Sequence, residues 1–136
     1  MNKEEVIDLI TDAGFGYLAT TEGKQPRVRP MMPCLTEEGN LLIALLSQSR
    51  TIPQIKENPL VEICYVDRKM CFCRIAGKAS LSEDLAKKEI VWNHVPMLRQ
   101  YFSGPQDSKF ILLEIDTGSV EAMSPTQKTP DVLKLK

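Results

Sequence analysis

The sequence predicts an α+β domain built on a small antiparallel β-barrel with helices at its flanks. Three observations predict it. Short apolar or alternating stretches follow one another with tight turns between them, as in successive hairpins. Helical spacing is confined to a few short segments. A longer alternating stretch, Met70 to Leu81, carries Gly77 in its interior, where a bulge would curl a sheet towards closure.

Taken in order, Asn2 and Glu5 form a capping pair. Val6, Ile7, Leu9, Ile10 and Ala13 then repeat at helical spacing, and Gly14 ends the helix. Phe15 to Thr21 is strand-like and Glu22-Gly23-Lys24 is a turn. Gln25 to Leu35 alternates like a strand but holds Pro26, Pro30 and Pro33, which cannot donate to a ladder. It is therefore expected at an edge or a break in pairing. Arg27 and Arg29 project to one face of it, to meet either water or a ligand.

The turn Thr36 to Asn40 leads into an apolar run, Leu41 to Leu46, and then into Ser47-Gln48-Ser49-Arg50-Thr51. A short helical pattern opens at Thr51, repeats the capping logic with Gln54, accepts Pro53 in its first turn and stops at Asn58-Pro59. Hydroxyls and a guanidinium at a helix start suit a phosphate, because the first helical N–H groups lack partners and carry the positive end of the dipole. Helix capping uses the same residue types, so cap and phosphate site both remain open here. Leu60 to Val66 is a strand, Asp67-Arg68-Lys69 a turn, and Met70 to Leu81 the long strand. Ser82 caps a third helix running to about Asn93, Phe110 to Asp116 is a strand that Ser119 to Met123 continues, and residues 125–136 are read as a tail with little to bury.

Composition narrows the function. Seventeen basic and eighteen acidic residues give a net charge of −1, which lacks the basic excess that nucleic acid or an anionic membrane surface would need. No apolar run approaches the roughly 20 residues that span a bilayer. The first residues form an amphipathic helix rather than a signal peptide's unbroken apolar core, so a cytoplasmic protein is expected. Cys34, Cys64, Cys71 and Cys73 then read as thiols, without zinc-type C-x2-C spacing. His94 is the only histidine, and a lone histidine is no metal site.

Three blocks together carry a resemblance: a first helix followed by Gly16 to Thr20 (GYLAT), Pro26 to Met31 (PRVRPM), and the S-R-x-x-x-Q-I-x-x-N-P stretch from Ser49 to Pro59 ahead of an apolar strand. The pattern resembles the pyridoxamine 5′-phosphate oxidase-like flavin-binding split-barrel proteins, in particular small members of the general stress and nitroimidazole-resistance groups. It implies a six-stranded antiparallel split barrel over residues 1–124 and a homodimer with FMN at the interface. By position, Ser49, Arg50, Thr51 and Gln54 would hold the phosphate end. Arg27, Val28 and Arg29 would run along the ring, largely through backbone groups, and Leu45, Leu46 and Ser47 would lie near the ring and ribityl chain. Either Arg27 or Arg29 would stabilise the charge of reduced flavin.

The sequence departs from the pattern in three places. Thr51 stands where many relatives carry lysine, Met123 where many carry an aromatic residue, and the C-terminal arginine segment of true pyridoxamine 5′-phosphate oxidases is missing. The expected function is therefore FMN-dependent transfer of hydride or electrons to a small molecule, with a nicotinamide reductant possible and pyridoxal phosphate synthesis not expected. The alternatives are a flavin-binding module without turnover, a haem or deazaflavin barrel, and a bare interaction module. Tyr17, Tyr65, Tyr101 and His94 are acid–base candidates by type only.

Overall fold

A computed structural model describes residues 1–136. The chain forms α1 (Lys3–Ala13), β1 (Gly16–Glu22), β2 (Gln25–Met31), β3 (Cys34–Leu35), β4 (Leu41–Leu46), α2 (Thr51–Glu57), β5 (Leu60–Val66), β6 (Phe72–Ser82), α3 (Leu85–His94), a 3₁₀ turn (Pro96–Gln100), β7 (Phe110–Met123) and β8 (Asp131–Lys134). The α+β class is as expected, but the antiparallel sheet has eight strands instead of six. Its order is β2-β1-β5-β6-β7-β4-β3, with β8 beside the far half of β7.

The two edge strands of this order are consecutive in the chain. β2 ends at Met31 and β3 begins at Cys34, three Cα steps on, so these ends lie within about 11 Å of each other. A flat sheet of this width cannot satisfy that link; it has to curl until its edges approach. They approach without a ladder between them, which is the split in the barrel. The prolines sit where this requires, on the β2 edge and in the link.

Curvature is concentrated at Gly77. Between the pairs Ile75↔Val120 and Gly77↔Thr117 the register shifts, because β7 carries one residue more than β6 there. A Cβ on Gly77 would stand 2.5 Å from Ile115 Cγ2 and 2.8 Å from the Asp116 carbonyl oxygen, so only glycine lets the two backbones come this close. At the other tight point, Gly23 adopts φ +60° as the first central residue of the two-residue β1–β2 turn, a conformation that suits the strand twist.

Alternation along the strands divides the apolar residues between two cores. Leu18, Leu41, Ile43, Ile63, Ile75, Leu113 and Ile115 fill the barrel, and α1 adds Val6, Leu9 and Ile10. Leu42, Phe110 and Leu112 point the other way, onto Val91 of α3 and onto Val95, Leu98 and Phe102. β4 is buried on both faces, which explains its unbroken LLIALL sequence.

Several boundaries differ from expectation. β6 begins at Phe72, so Cys71 lies just before it. Asp84, not Ser82, caps α3, accepting from the N–H groups of Ala86 and Lys87. Residues 125–136 are not a tail with little to bury: β8 pairs with Ser119–Ala122, and Leu135 inserts into the barrel core. Cys34 and Cys73 are buried, and burial pushes the Cys73 thiol up to about 12, so both behave as small apolar side chains.

Three expectations follow. Leu135→Ala, just past β8, should cost roughly 2 kcal/mol or more in denaturant unfolding, whereas Val132→Ala, on the exposed side of β8, should be close to neutral. Gly77→Ala should destabilise by more than about 1 kcal/mol through overpacking at the bulge. Arg68 donates to the Asp12 carboxylate, and the Ser103 and Lys109 N–H groups to that of Asp107; both carboxyls are held below their usual range. A carboxylate depressed in the folded state stabilises above its unfolded pKa and loses that contribution as pH falls through the folded value. Denaturation midpoints should therefore decline below about pH 4, and less steeply in Asp107→Asn.

Candidate functional site

On the inner face of the first hairpin, Leu18, Thr20 and Glu22 of β1 alternate beside Arg29 and Arg27 of β2, in the pairs Leu18↔Arg29 and Thr20↔Arg27. Across this polar end of the barrel lies α2, which buries Thr51, Gln54 and Ile55. Gln54 is the hub of the contact. Its Oε1 accepts from Thr20 Oγ1 and from Arg29 Nη2, both at 2.6 Å, and its Nε2 donates to Glu22 Oε2 at 3.2 Å. Arg29 Nη1 also donates to the Leu18 carbonyl at 3.1 Å. Arg27 donates through Nε and Nη2 to Glu22 Oε1, at 3.1 and 2.9 Å, and Arg50 Nη2 stands 3.5 Å from Glu22 Oε2.

Three guanidinium groups thus gather around a single carboxylate, a surplus of two positive charges. The bonds from Arg27 and Gln54 hold the Glu22 carboxyl below its usual range. Burial, followed by repulsion from Arg27, lowers the pKa of Arg29.

The capping box expected at Thr51 does not form. Arg50 occupies the cap position in a helical conformation without a side-chain cap bond, and Gln54 is turned to the hairpin instead. The Thr51 N–H is taken by Ser49 Oγ at 3.2 Å and the Ile52 N–H by the Ser49 carbonyl. What this region offers an anion is guanidinium and hydroxyl groups more than free helix N–H groups.

Beside the cradle opens a cleft of about 860 Å³, between the end of β4, the β2–β3 link and the α3–3₁₀ corner. Leu45, Leu46 and Ser47, which the resemblance put near the ring and ribityl chain, line it together with Ser49, which the resemblance put at the phosphate end. Its far wall, which includes Val95, Leu98, Tyr101 and Phe102, is a part of the site that sequence reasoning missed. That wall is fixed by Arg99, which stacks on Trp92 at 4.4 Å and donates to the Trp92 carbonyl. Lys109 is the one charged residue of the lining, and its carbonyl accepts from the Ser47 N–H at 2.8 Å.

The structure therefore sorts the expected site residues into three places. Arg27, Arg29, Arg50, Thr51 and Gln54 belong to the cradle or its support. Leu45, Leu46, Ser47 and Ser49 belong to the cleft, and Ser49 touches both. Val28 turns away, 69% exposed on the outer face with Tyr17, Pro30 and Leu60. Glu22 and Thr20, central to the cradle, were missed because Glu22 reads as a turn residue; counting by two from Leu18 is the signal that finds them. Of the acid–base candidates only Tyr101 reaches the cleft. Tyr65 is buried in the barrel with its hydroxyl unpartnered and its pKa raised by burial, and His94 is exposed at the end of α3. No group of side chains offers a metal site, and no helix is long and apolar enough to cross a membrane.

Comparison with known proteins agrees with this architecture. General stress protein 26 of Bacillus subtilis (strain 168) is 26% identical over 141 residues, covering 98% of this chain and 96% of its own. A NimC/NimA family protein of Clostridium acetobutylicum superposes with a TM-score of 0.84 at 28% identity, over 98% of this chain and 92% of that one. General stress protein 26 of Bacillus anthracis superposes at 0.83 with 27% identity, over 98% of each. The fold alone is shared with an FMN binding, pyridoxamine 5′-phosphate oxidase-related protein of Nostoc punctiforme (18% identity, TM-score 0.74) and a heme binding protein of Mycobacterium smegmatis (16%, 0.81). The profile of the family described as pyridoxamine 5′-phosphate oxidase like matches residues 1–129. With that match spanning nearly the whole length, the chain belongs to the pyridoxamine 5′-phosphate oxidase-like family.

Proposed function

We propose that this chain binds FMN and works as a flavin-dependent oxidoreductase on a small molecule. The observation that carries the reading is the adjacency of two unlike sites. An arginine cradle with a surplus of two positive charges meets, at Ser49, an apolar cleft large enough for a ring system. A molecule with a phosphate dianion at one end and a broad flat ring at the other matches both. The donor set fits the group: guanidinium forks and hydroxyls for phosphate oxygens, and aliphatic and aromatic side chains for a ring face. The FMN-binding member of the family from Nostoc supports the same cofactor.

In this reading Arg27 and Arg50 bind and orient the phosphate, with Arg29 held in place behind them by Gln54 and Leu18. Leu45 and Leu46 exclude water from one side of the ring, while Tyr101 and Phe102 border the space left for a substrate. Bound flavin supplies the hydride and electron chemistry, exchanged with a substrate or a nicotinamide reductant. Haem is a weaker match, since the lone histidine lies outside the cleft.

A second copy of the chain completes the reading. The outer face of β1, β2 and β5 exposes Tyr17, Val28, Pro30, Leu60 and Val66, an apolar patch of the kind that partners cover. Pro30 also borders the cleft, so a copy seated on this face would shelter the cleft's open side.

The test is a visible spectrum of protein mixed with FMN and passed through gel filtration. Flavin absorbance travelling with protein at the dimer's elution volume is expected. Colourless protein would sink the cofactor assignment, and yellow monomer would sink the dimer. Arg50→Ala and Arg27→Ala should each weaken FMN by about tenfold or more, the scale of a lost charge-assisted hydrogen bond. Riboflavin, which lacks the phosphate, should bind the parent and both variants alike.

A further inference from the structure

Both oxygens of Glu22 are engaged by the groups that a phosphate would require. Oε1 takes the fork of Arg27, and Oε2 faces Gln54 Nε2 and Arg50 Nη2. The carboxylate thus stands in for an anionic ligand, presented by the protein itself at the end of β1. Its presence has a clear electrostatic reason: without it, three guanidinium groups, two on β2 and one at the cap of α2, would face one another uncompensated.

The pairs that Glu22 makes are of the exchangeable kind. The Glu22 side chain is 37% exposed, that of Arg27 45% and that of Arg50 79%, and ion pairs in such settings contribute little because water screens them. The bonds behind them are different. Thr20, Gln54 and Arg29 lock together on the buried side, so the cradle keeps its shape if Glu22 lets go.

We propose that Glu22 is an internal competitor for the phosphate end of the ligand, and that it sets both the affinity and the anion preference of the cradle. The inference rests on the phosphate-cradle reading above and goes beyond it by assigning a residue that opposes binding. When a phosphate monoester arrives, Arg27 and Arg50 turn their donors from the carboxylate to the phosphate oxygens. A monoanion only replaces one negative charge with another. A dianion matches the surplus of two positive charges, so the carboxylate tilts selection towards phosphate monoesters and away from single carboxylates.

The experiment is Glu22→Gln, which removes the charge while leaving an amide oxygen to accept from Arg27. FMN and riboflavin are titrated into parent and variant by flavin fluorescence, with inorganic phosphate as a competitor of FMN. The variant should bind FMN about fivefold more tightly, the scale of one or two partly exposed pairs. Riboflavin affinity should not move, and inorganic phosphate should compete at lower concentration. Unchanged or weaker FMN binding by the variant, or an equal gain for riboflavin, overturns the proposal while leaving the cradle reading intact. A parent that binds no FMN overturns both, and the parent titration alone reveals it. Glu22→Ser, also uncharged, carries the same comparison if thermal melting shows the amide variant misfolded.

Discussion

The link Met32-Pro33 is the constraint from which the rest of this architecture follows. It joins the two edge strands of one sheet, β2 and β3, through only two residues, which limits the gap to about 11 Å. The sheet must curl to meet it. Curling divides the side chains into an inside filled mainly with Leu, Ile and Val and an outside that needs helices, a partner or water. The bulge opposite Gly77 takes up part of the bend, which is why two backbones approach there more closely than any Cβ would permit.

A barrel closed by covalent connection, without a ladder between its edges, has a seam, and the cleft opens beside this one. Pro30, Met31 and Met32 lie both at the seam and on the cleft wall. Prolines there keep the edge from pairing with another strand, so the gap stays available to side chains and ligands. The opposite wall comes from α3 and its 3₁₀ extension, packed on the outward face of β4 and β7. β4 therefore serves the barrel core with one face and the cleft and second core with the other, and is apolar throughout.

The polar end of the barrel is handled by a different device. α2 is too short to depend on its own helix propensity; it is held by Ile55 in the core and by Gln54 among the hairpin's polar side chains. Through Gln54 the helix fixes Arg29, Thr20 and Glu22 together, and the exposed arginines, Arg27 and Arg50, complete the cluster. The more buried members, bonded to one another, give the cluster its shape, while exposed members remain free to exchange partners.

Much of this was legible in the residues themselves. Alternation and turn residues placed six of the eight strands and all three helices within a few positions, because period and turn chemistry are local, while β3 was read as the end of the β2 segment and β8 as a tail. Residue types around Arg27 and Ser49 pointed to the cradle, and the family resemblance to part of the cleft. Three things needed the tertiary structure. Leu135 stands between two lysines, Lys134 and Lys136, and only pairing of β8 with β7 gives it a core to enter. Thr51 and Gln54 have capping spacing, yet the buried hairpin offered Gln54 stronger partners than the helix end did. Glu22 looks like a turn residue; it becomes the counter-charge of three arginines only when the hairpin register and the docking of α2 bring together groups 28 residues apart. The sequence by itself determined the elements and the kinds of chemistry available, since these depend on neighbours along the chain. The curl of the sheet decided which charges meet, because that depends on distance through space.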